Sequence, residues 1–274
     1  MIDPIFLAEA AINGIMLGGI LALLALGLNL IFGVIDIVWI AYVDLVMVCM
    51  YALYFLVQVY GWPFWLGALA SVAVGAALGV GVHLLIISPI LGSAPINQFL
   101  ATGGLLFFLQ SSATFLWTTD HKSVRFSLPS WELGGIFFPA TRLIPFAISI
   151  VALVGLYVFL TRTYMGTAIR AVSQDREAMA LMGASPQRIY LVTSAVGGLM
   201  AGLAGALLTF QYSVHPFFGG QFGPLTFMIC VLGGLGNMVG AFVASFIMSE
   251  IISIAGVVWS TEMGYVIAFV VFIV

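Results

Sequence analysis

The sequence predicts an all-α fold: a polytopic membrane bundle of about eight transmembrane helices, with one shorter broken or re-entrant segment. Three observations predict it. Hydrophobic types make up 63% of the 274 residues and charged types 6%, against about 45–50% and about 25% in a soluble domain. Long stretches lack any Asp, Glu, Lys, Arg or His: 26 residues between Glu9 and Asp36, 38 between Asp44 and His83, and 26 between Arg188 and His215. Glycine is abundant, at 31 residues, often at helical spacing. So few charges cannot build a solvated surface, which excludes a soluble globular enzyme and a disordered chain. The net charge of −3 and the lack of a basic stripe exclude a nucleic-acid partner. Cys49 and Cys230 sit in apolar runs and read as core side chains, not as a disulfide or metal pair.

A crossing takes roughly 20 mainly apolar residues, so turn signals must divide the longer gaps. Asp3 and Glu9 precede the first apolar run, whereas a secretory signal begins with positive charge. The first helix, residues 6–33, is therefore expected to stay as a span. A second follows a short link at 34–36 and runs to about 59. Gly61, Trp62 and Pro63 break it, with Trp62 and Trp65 suited to a headgroup belt. The third runs to about 87, and the loop Ser88, Pro89, Gly92, Ser93, Pro95 and Asn97 ends it. The fourth spans 98–117. A polar stretch, 118–141, carries Asp120, His121, Lys122, Arg125, Pro129, Glu132 and Pro139. The fifth crossing spans 142–160, the most polar segment 161–188, and the sixth crossing about 189–212. Pro216, Gly219, Gly220, Gly223 and Pro224 precede the short apolar piece 225–235. Irregular backbone of that kind is tolerated only where it lines protein or a cavity. Two further runs, 238–254 and 257–274, complete the count. The last ends in mid-run, which suggests that the natural protein continues. Gly14 with Gly18, Gly75 with Gly79, and Gly198, Gly202 and Gly205 read as close helix contacts.

The polar segment holds one compact element. Ser173 is a plausible N-cap, Asp175 and Glu177 follow where the helix dipole favours acids, and Gly183 is a natural stop. Ser185 then caps a new helix with Pro186 at its first position. A two-turn helix thus stands in a loop between two crossings. Helices this short are marginal without a partner. Ala178 and Met182, and Met179 and Met182, fall on one face. That face suits either a groove on another protein or the chain's own bundle.

Glu177-Ala178-Met179, with Ala180 and Gly183 downstream, resembles the coupling motif of ABC importer permeases. The wider phrase 166–183 resembles the branched-chain amino acid permease family (LivH/LivM type), the LivH half more closely. The first-helix phrase 21–33, Ala201-Gly-Leu-Ala-Gly-Ala206 and Val231-Leu-Gly-Gly-Leu-Gly-Asn237 with Gly240 match as well. The resemblance implies a single permease domain, 1–274, in the bacterial inner membrane. It makes 161–188 a cytoplasmic loop whose Asp175, Arg176, Glu177, Ala178, Met179, Ala180, Met182 and Gly183 couple to an ATPase. The amino terminus and the 118–141 stretch then lie outside. It also implies the partners: two ABC ATPase subunits, a second permease subunit (LivM-like or a copy of this chain) and a periplasmic substrate-binding protein. The only lysine, Lys122, follows His121, so a Walker A lysine is lacking. The chain is therefore expected to be no enzyme and to carry no cofactor, ATP and Mg being bound by the partners. The three histidines show no zinc spacing.

The family commonly has an Asn-Phe-Ala-His-Gly phrase entering the second helix. Aligned through Asp44, this chain has Trp39-Ile-Ala-Tyr42-Val43. Bulkier groups there imply a substrate other than leucine, isoleucine or valine if the phrase touches the path. Other amino acids, urea, amides or small aromatic acids fit the same family. Asp44 and Glu250 lie inside apolar runs, where a charge is costly and faces a bundle interior or water. Either they contact a substrate amine or pair helices along the path, or they sit near an interface or are neutralised by protonation. Gly219, Gly220, Gly233 and Gly234 could expose N–H groups at a broken helix, which favours a carboxylate. Trp39, Tyr42, Asp44, Gly219, Gly220, Gly233, Gly234 and Glu250 are thus the candidate substrate path. Asn29, Gln98 and Gln110 read as interhelical hydrogen-bond partners. A self-contained secondary transporter or channel, and a membrane scaffold without a solute path, are the competing readings.

Overall fold

A computed structural model describes residues 4–124, 130–133, 136–183 and 185–273. Arg125 and Pro129 of the polar stretch lie outside the described residues. Among those described, seven helices are long and apolar enough to cross a bilayer. Phe218–Gly233 and Glu262–Ile273 are shorter apolar helices. In chain order the elements are α1 (Pro4–Ile35), α2 (Tyr42–Tyr54) with a π-helical turn to Val59, and α3 (Phe64–Val82) with a second π-helical turn leading into α4 (Ser88–Ile90). Then come α5 (Pro95–Trp117), β1 (Ser130–Leu133), β2 (Ile136–Pro139), α6 (Ala140–Arg162), α7 (Tyr164–Gln174) and α8 (Arg176–Leu181). The chain continues as α9 (Pro186–Leu208), α10 (Phe218–Gly233), α11 (Met238–Val258) and α12 (Thr261–Ile273).

The mast of the bundle is α1. Its residues from Ile20 to Ala25 are fully buried on every side, as expected of a helix that is apolar all round. It packs against α6, α9, α10 and α11. The predicted small-residue contacts are real. A Cβ on Gly75 would strike Gly198 and Gly202, and one on Gly79 would strike Ser194 and Gly198. Backbone contact of that closeness replaces the hydrophobic force that lipid does not supply. The Ser71 hydroxyl donates to Cys49 O and Gly202 O, both at 3.0 Å, tying α2, α3 and α9 together.

Two expectations change. The second crossing is helical only from Tyr42. Asp36 ends α1 in a left-handed conformation (φ 62°), with its N–H on Phe32 O at 2.8 Å. Residues 36–41 then rise without helix, and the Thr102 hydroxyl donates to Val38 O at 3.1 Å. That bond satisfies a carbonyl that helix would otherwise have paired. Second, the short piece 225–235 is the far half of α10, which starts at Phe218 and takes Pro224 into its interior. Near its start, Gln221 Nε2 donates to the Tyr265 hydroxyl (3.2 Å). At its far end, Asn29 Nδ2 donates to Asn237 O (3.0 Å), and Gly236 N–H donates to Asn29 Oδ1 (2.7 Å). The segment therefore runs along α1 and does not fold back. Within the polar stretch, β1 and β2 form an antiparallel hairpin, with Ser130 opposite Pro139 and Leu133 opposite Ile136.

A broken-helix site and a docking peg

Two constellations gather the predicted site residues, at different depths of the bundle. The first is a peg. Thr163 caps α7, accepting the Gly166 N–H at 3.0 Å. Gly166, Ile169 and Val172 are buried at three-residue spacing, which lays α7 along the bundle. Asp175 is extended and caps α8, its Oδ1 accepting the N–H of Glu177 (3.0 Å) and of Ala178 (2.9 Å). Ser173 is therefore not the cap: its hydroxyl donates back to Arg170 O inside α7. The Asp175 side chain is the one that reaches forward because the chain turns extended at 175, not at 173. Gly183 takes φ +82° and closes the helix, as predicted.

No residue of α8 is buried. Met179 turns inward onto the bundle, while Ala178, Ala180, Leu181 and Met182 face out, with Leu181 at 89% and Met182 at 84% exposure. The peg therefore presents an exposed apolar face. Sequence reasoning placed Met179 on that face and passed over Leu181; the caps, once located, fix the helical phase. It also missed that Arg176 reaches Asp36 (3.6 Å) and lies over the Tyr190 ring (5.9 Å to its centre). The peg thereby touches the residue from which the non-helical stretch 36–41 begins.

That stretch leads into the second constellation. Trp39 and Tyr42 are buried edge to face, 6.0 Å apart. The Tyr42 hydroxyl donates to Gly197 O at 3.0 Å. Asp44, in the first turn of α2, is buried and accepts from Gln110 Nε2 at 2.9 Å. Its carboxylate lies against Gly219 in the first turn of α10, where a Cβ would come within 2.6 Å of the carboxyl carbon. A carboxylate between two helix N-termini is where both dipoles favour it. Beside it opens an apolar cavity of about 320 Å³ lined by Trp39, Tyr42, Phe99, Gly219, Gly220 and Phe227 among others. The Trp39 Nε1 is buried there with no hydrogen-bond partner.

The structure thus brings Trp39, Tyr42, Asp44, Gly219 and Gly220 together. Gly233 and Gly234 stand elsewhere, at the α10–α11 turn, packed on Gly240, Ala241 and Asn237. Glu250 is half-buried on α11 against Gly14 of α1. Asn29 and Gln110 serve as interhelical partners, as predicted. Gln98 instead caps locally, donating to Ser93 O and Ile90 O.

A family model described as a branched-chain amino acid transport system permease component matches residues 10–274. The chain is 25% identical, over 97% of its length and 91% of the relative, to the high-affinity branched-chain amino acid transport system permease protein LivH of Escherichia coli. It is 24% identical to the corresponding BraD protein of Pseudomonas aeruginosa, over 95% of this chain and 90% of that one. A fructose import permease protein, FruF of Bifidobacterium longum, is 31% identical over 54% of this chain and 41% of its own. No solved structure matches it.

Proposed function

The chain belongs to the family of permease components of branched-chain amino acid transport systems, and from that premise we propose how its two constellations divide the work of an ATP-driven importer. It is a multi-pass membrane transport subunit and not an enzyme. In our reading it lies in the bacterial inner membrane. The observation that carries the proposal is the exposed α8 peg, capped at both ends and joined through Arg176 to Asp36.

The peg docks on one of two ATPase subunits through Ala178, Leu181 and Met182. Closure of the ATPases on ATP displaces α8. Arg176 carries that displacement to Asp36 and so to the unwound stretch bearing Trp39 and Tyr42. A ligand or partner shifts such an equilibrium only by contacting the two states differently, and the Arg176–Asp36 contact is one that can differ. Asp175, Arg176, Glu177, Ala178, Met179, Ala180, Met182 and Gly183 transmit force and do no chemistry.

The substrate path runs beside Trp39, Tyr42, Asp44, Gly219 and Gly220. The cavity wall is apolar and the buried Asp44 carboxylate lies behind Gly219 of that wall, which suits a small amino acid with an apolar side chain. Branched-chain amino acids lead because the relatives' names carry them. The bulk of Trp39 and Tyr42 leaves other small amino acids in contention. A second permease subunit and a periplasmic binding protein complete the assembly. Replacing Ala178, Leu181 and Met182 by Ser, Gln and Gln should abolish ATPase co-purification and leave the bundle folded. Retained ATPase binding in that triple variant would remove the peg from the interface. ATP-independent uptake by the single chain in vesicles would favour a secondary transporter.

A further inference from the structure

We propose that the cavity between the amino-terminal half of α1, α11, α12 and the start of α10 binds a small zwitterion, its ammonium against Glu9 and its anionic group against Arg142. This cavity, of about 440 Å³, falls within the range of small-molecule sites. It lies at the end of α1 opposite the peg. It is separate from the cavity beside Trp39 but adjoins it across the first turn of α10, where Gly219 and Gly220 line that cavity and Gln221 lines this one.

Its polar wall is Glu9, Asn13, Arg142, Gln211, Gln221 and Tyr265. A carboxylate and a guanidinium face one space, yet among the described residues the only ion pair is Arg176 with Asp36. Glu9 and Arg142 are therefore held apart across the cavity, and neither neutralises the other. The Gln211 Nε2 is buried there without a hydrogen-bond partner. An unpaired buried donor is unfavourable, and an anionic oxygen between it and Arg142 would satisfy it. The guanidinium does reach this wall. Burial and Tyr265 push the Tyr212 hydroxyl up to about 12, and Arg142 acts against them.

A simple anion would leave Glu9 unpaired, and a simple cation would leave Arg142 unpaired. A molecule carrying both charges a few bonds apart satisfies both. Two sources supply that chemistry: a free α-amino acid and the ethanolamine phosphate headgroup of a membrane lipid. The inference stands on the cavity and not on the importer reading.

The full chain in nanodiscs tests it with two probes. Radiolabelled leucine binding is measured at equilibrium, and phosphatidylethanolamine retention is read by native mass spectrometry. E9Q and R142Q should each weaken one of the two at least tenfold. Lost leucine binding with lipid retained identifies a free amino acid; the reverse identifies a headgroup. Phosphatidylglycerol, which has no ammonium, should be indifferent to E9Q. The variant Q211E, which sets a second acid beside the anion, should weaken the same probe and guards against a misfolded E9Q. Wild-type binding of both probes in all three variants, or no binding of either by the unaltered chain, overturns the proposal. Continued ATPase co-purification in those variants would leave the importer reading standing.

Discussion

At the scale of single residues, Asp44 and Gly219 are bound to one another's identity. The carboxylate occupies the space that any side chain at 219 would need. Gly219→Ala forces a shift that overpacking usually prices at about 1–3 kcal/mol, and it pushes Asp44 off Gln110. Uptake should fall in G219A while the chain still inserts and binds its ATPase. Asp44→Asn keeps the shape and a hydrogen bond to Gln110 but removes the charge. If the charge faces substrate, D44N loses uptake as G219A does; unchanged uptake takes Asp44 out of the path. A second residue-scale expectation concerns pH. His215, in the loop before α10, is pushed below the usual histidine range by burial and then by His121, whose ring centre is 4.5 Å away. Asp120 and Lys122 are the charged residues that flank His121 in the chain. A depressed histidine means that the folded loop refuses a proton the unfolded loop accepts. Its stabilisation is complete above about pH 6.5 and is lost as pH falls through and below that value. The protection of the Val214 amide, whose N–H donates to Lys122 O at 2.7 Å, measured against its intrinsic exchange rate at each pH, should therefore fall on acidification, and His215→Asn should flatten the profile.

At the scale of elements, the peg offers a sharp discrimination. Asp175→Ala removes the cap that holds two N–H groups and should cost α8 about 1 kcal/mol. Ser173→Ala should cost little, because its hydroxyl only returns to its own helix. Circular dichroism will not resolve one turn of helix, but ATP-driven uptake will: D175A should be slowed and S173A unaffected. Equal slowing would mean that the cap does not set the peg. The same element shows what the sequence could reveal. The existence of the peg and its stop at Gly183 were legible, because a glycine after an apolar turn has a local cause. The true cap was not, since it depends on where the backbone turns extended. The long apolar helices were legible for the same reason: a bilayer imposes its length on them. The unwound stretch 36–41 was not. Its residues are ordinary membrane residues, and what unwinds them is a hydroxyl on α5, sixty-four positions away in the chain. Asn29 clasping the α10–α11 turn is equally non-local, as is the meeting of Asp44 with Gly219.

At the scale of the whole molecule, parity connects everything. Five crossings, α1, α2, α3, α5 and α6, separate the amino terminus from the peg. Five is odd, so the amino terminus and α8 must face opposite sides of the membrane. The contacts agree with that count. Asp36 at the far end of α1 meets Arg176 beside the peg, while Ala10 near the start of α1 accepts from Ser253 at the end of α11. In the proposed reading, force from an ATPase enters at one end of α1, and the zwitterion cavity opens at the other. The orientation can be measured without engineering a background, because Cys49 and Cys230, the chain's two cysteines, are both buried. A cysteine at Tyr60 (71% exposed) and one at Leu181 (89% exposed) lie at opposite ends under this parity. A membrane-impermeant maleimide added to spheroplasts should label Y60C at once and L181C only after permeabilisation. With the ATPase present, L181C should then label several-fold more slowly than without it. Labelling of L181C from outside would invert the molecule and leave the peg with no ATP to answer to.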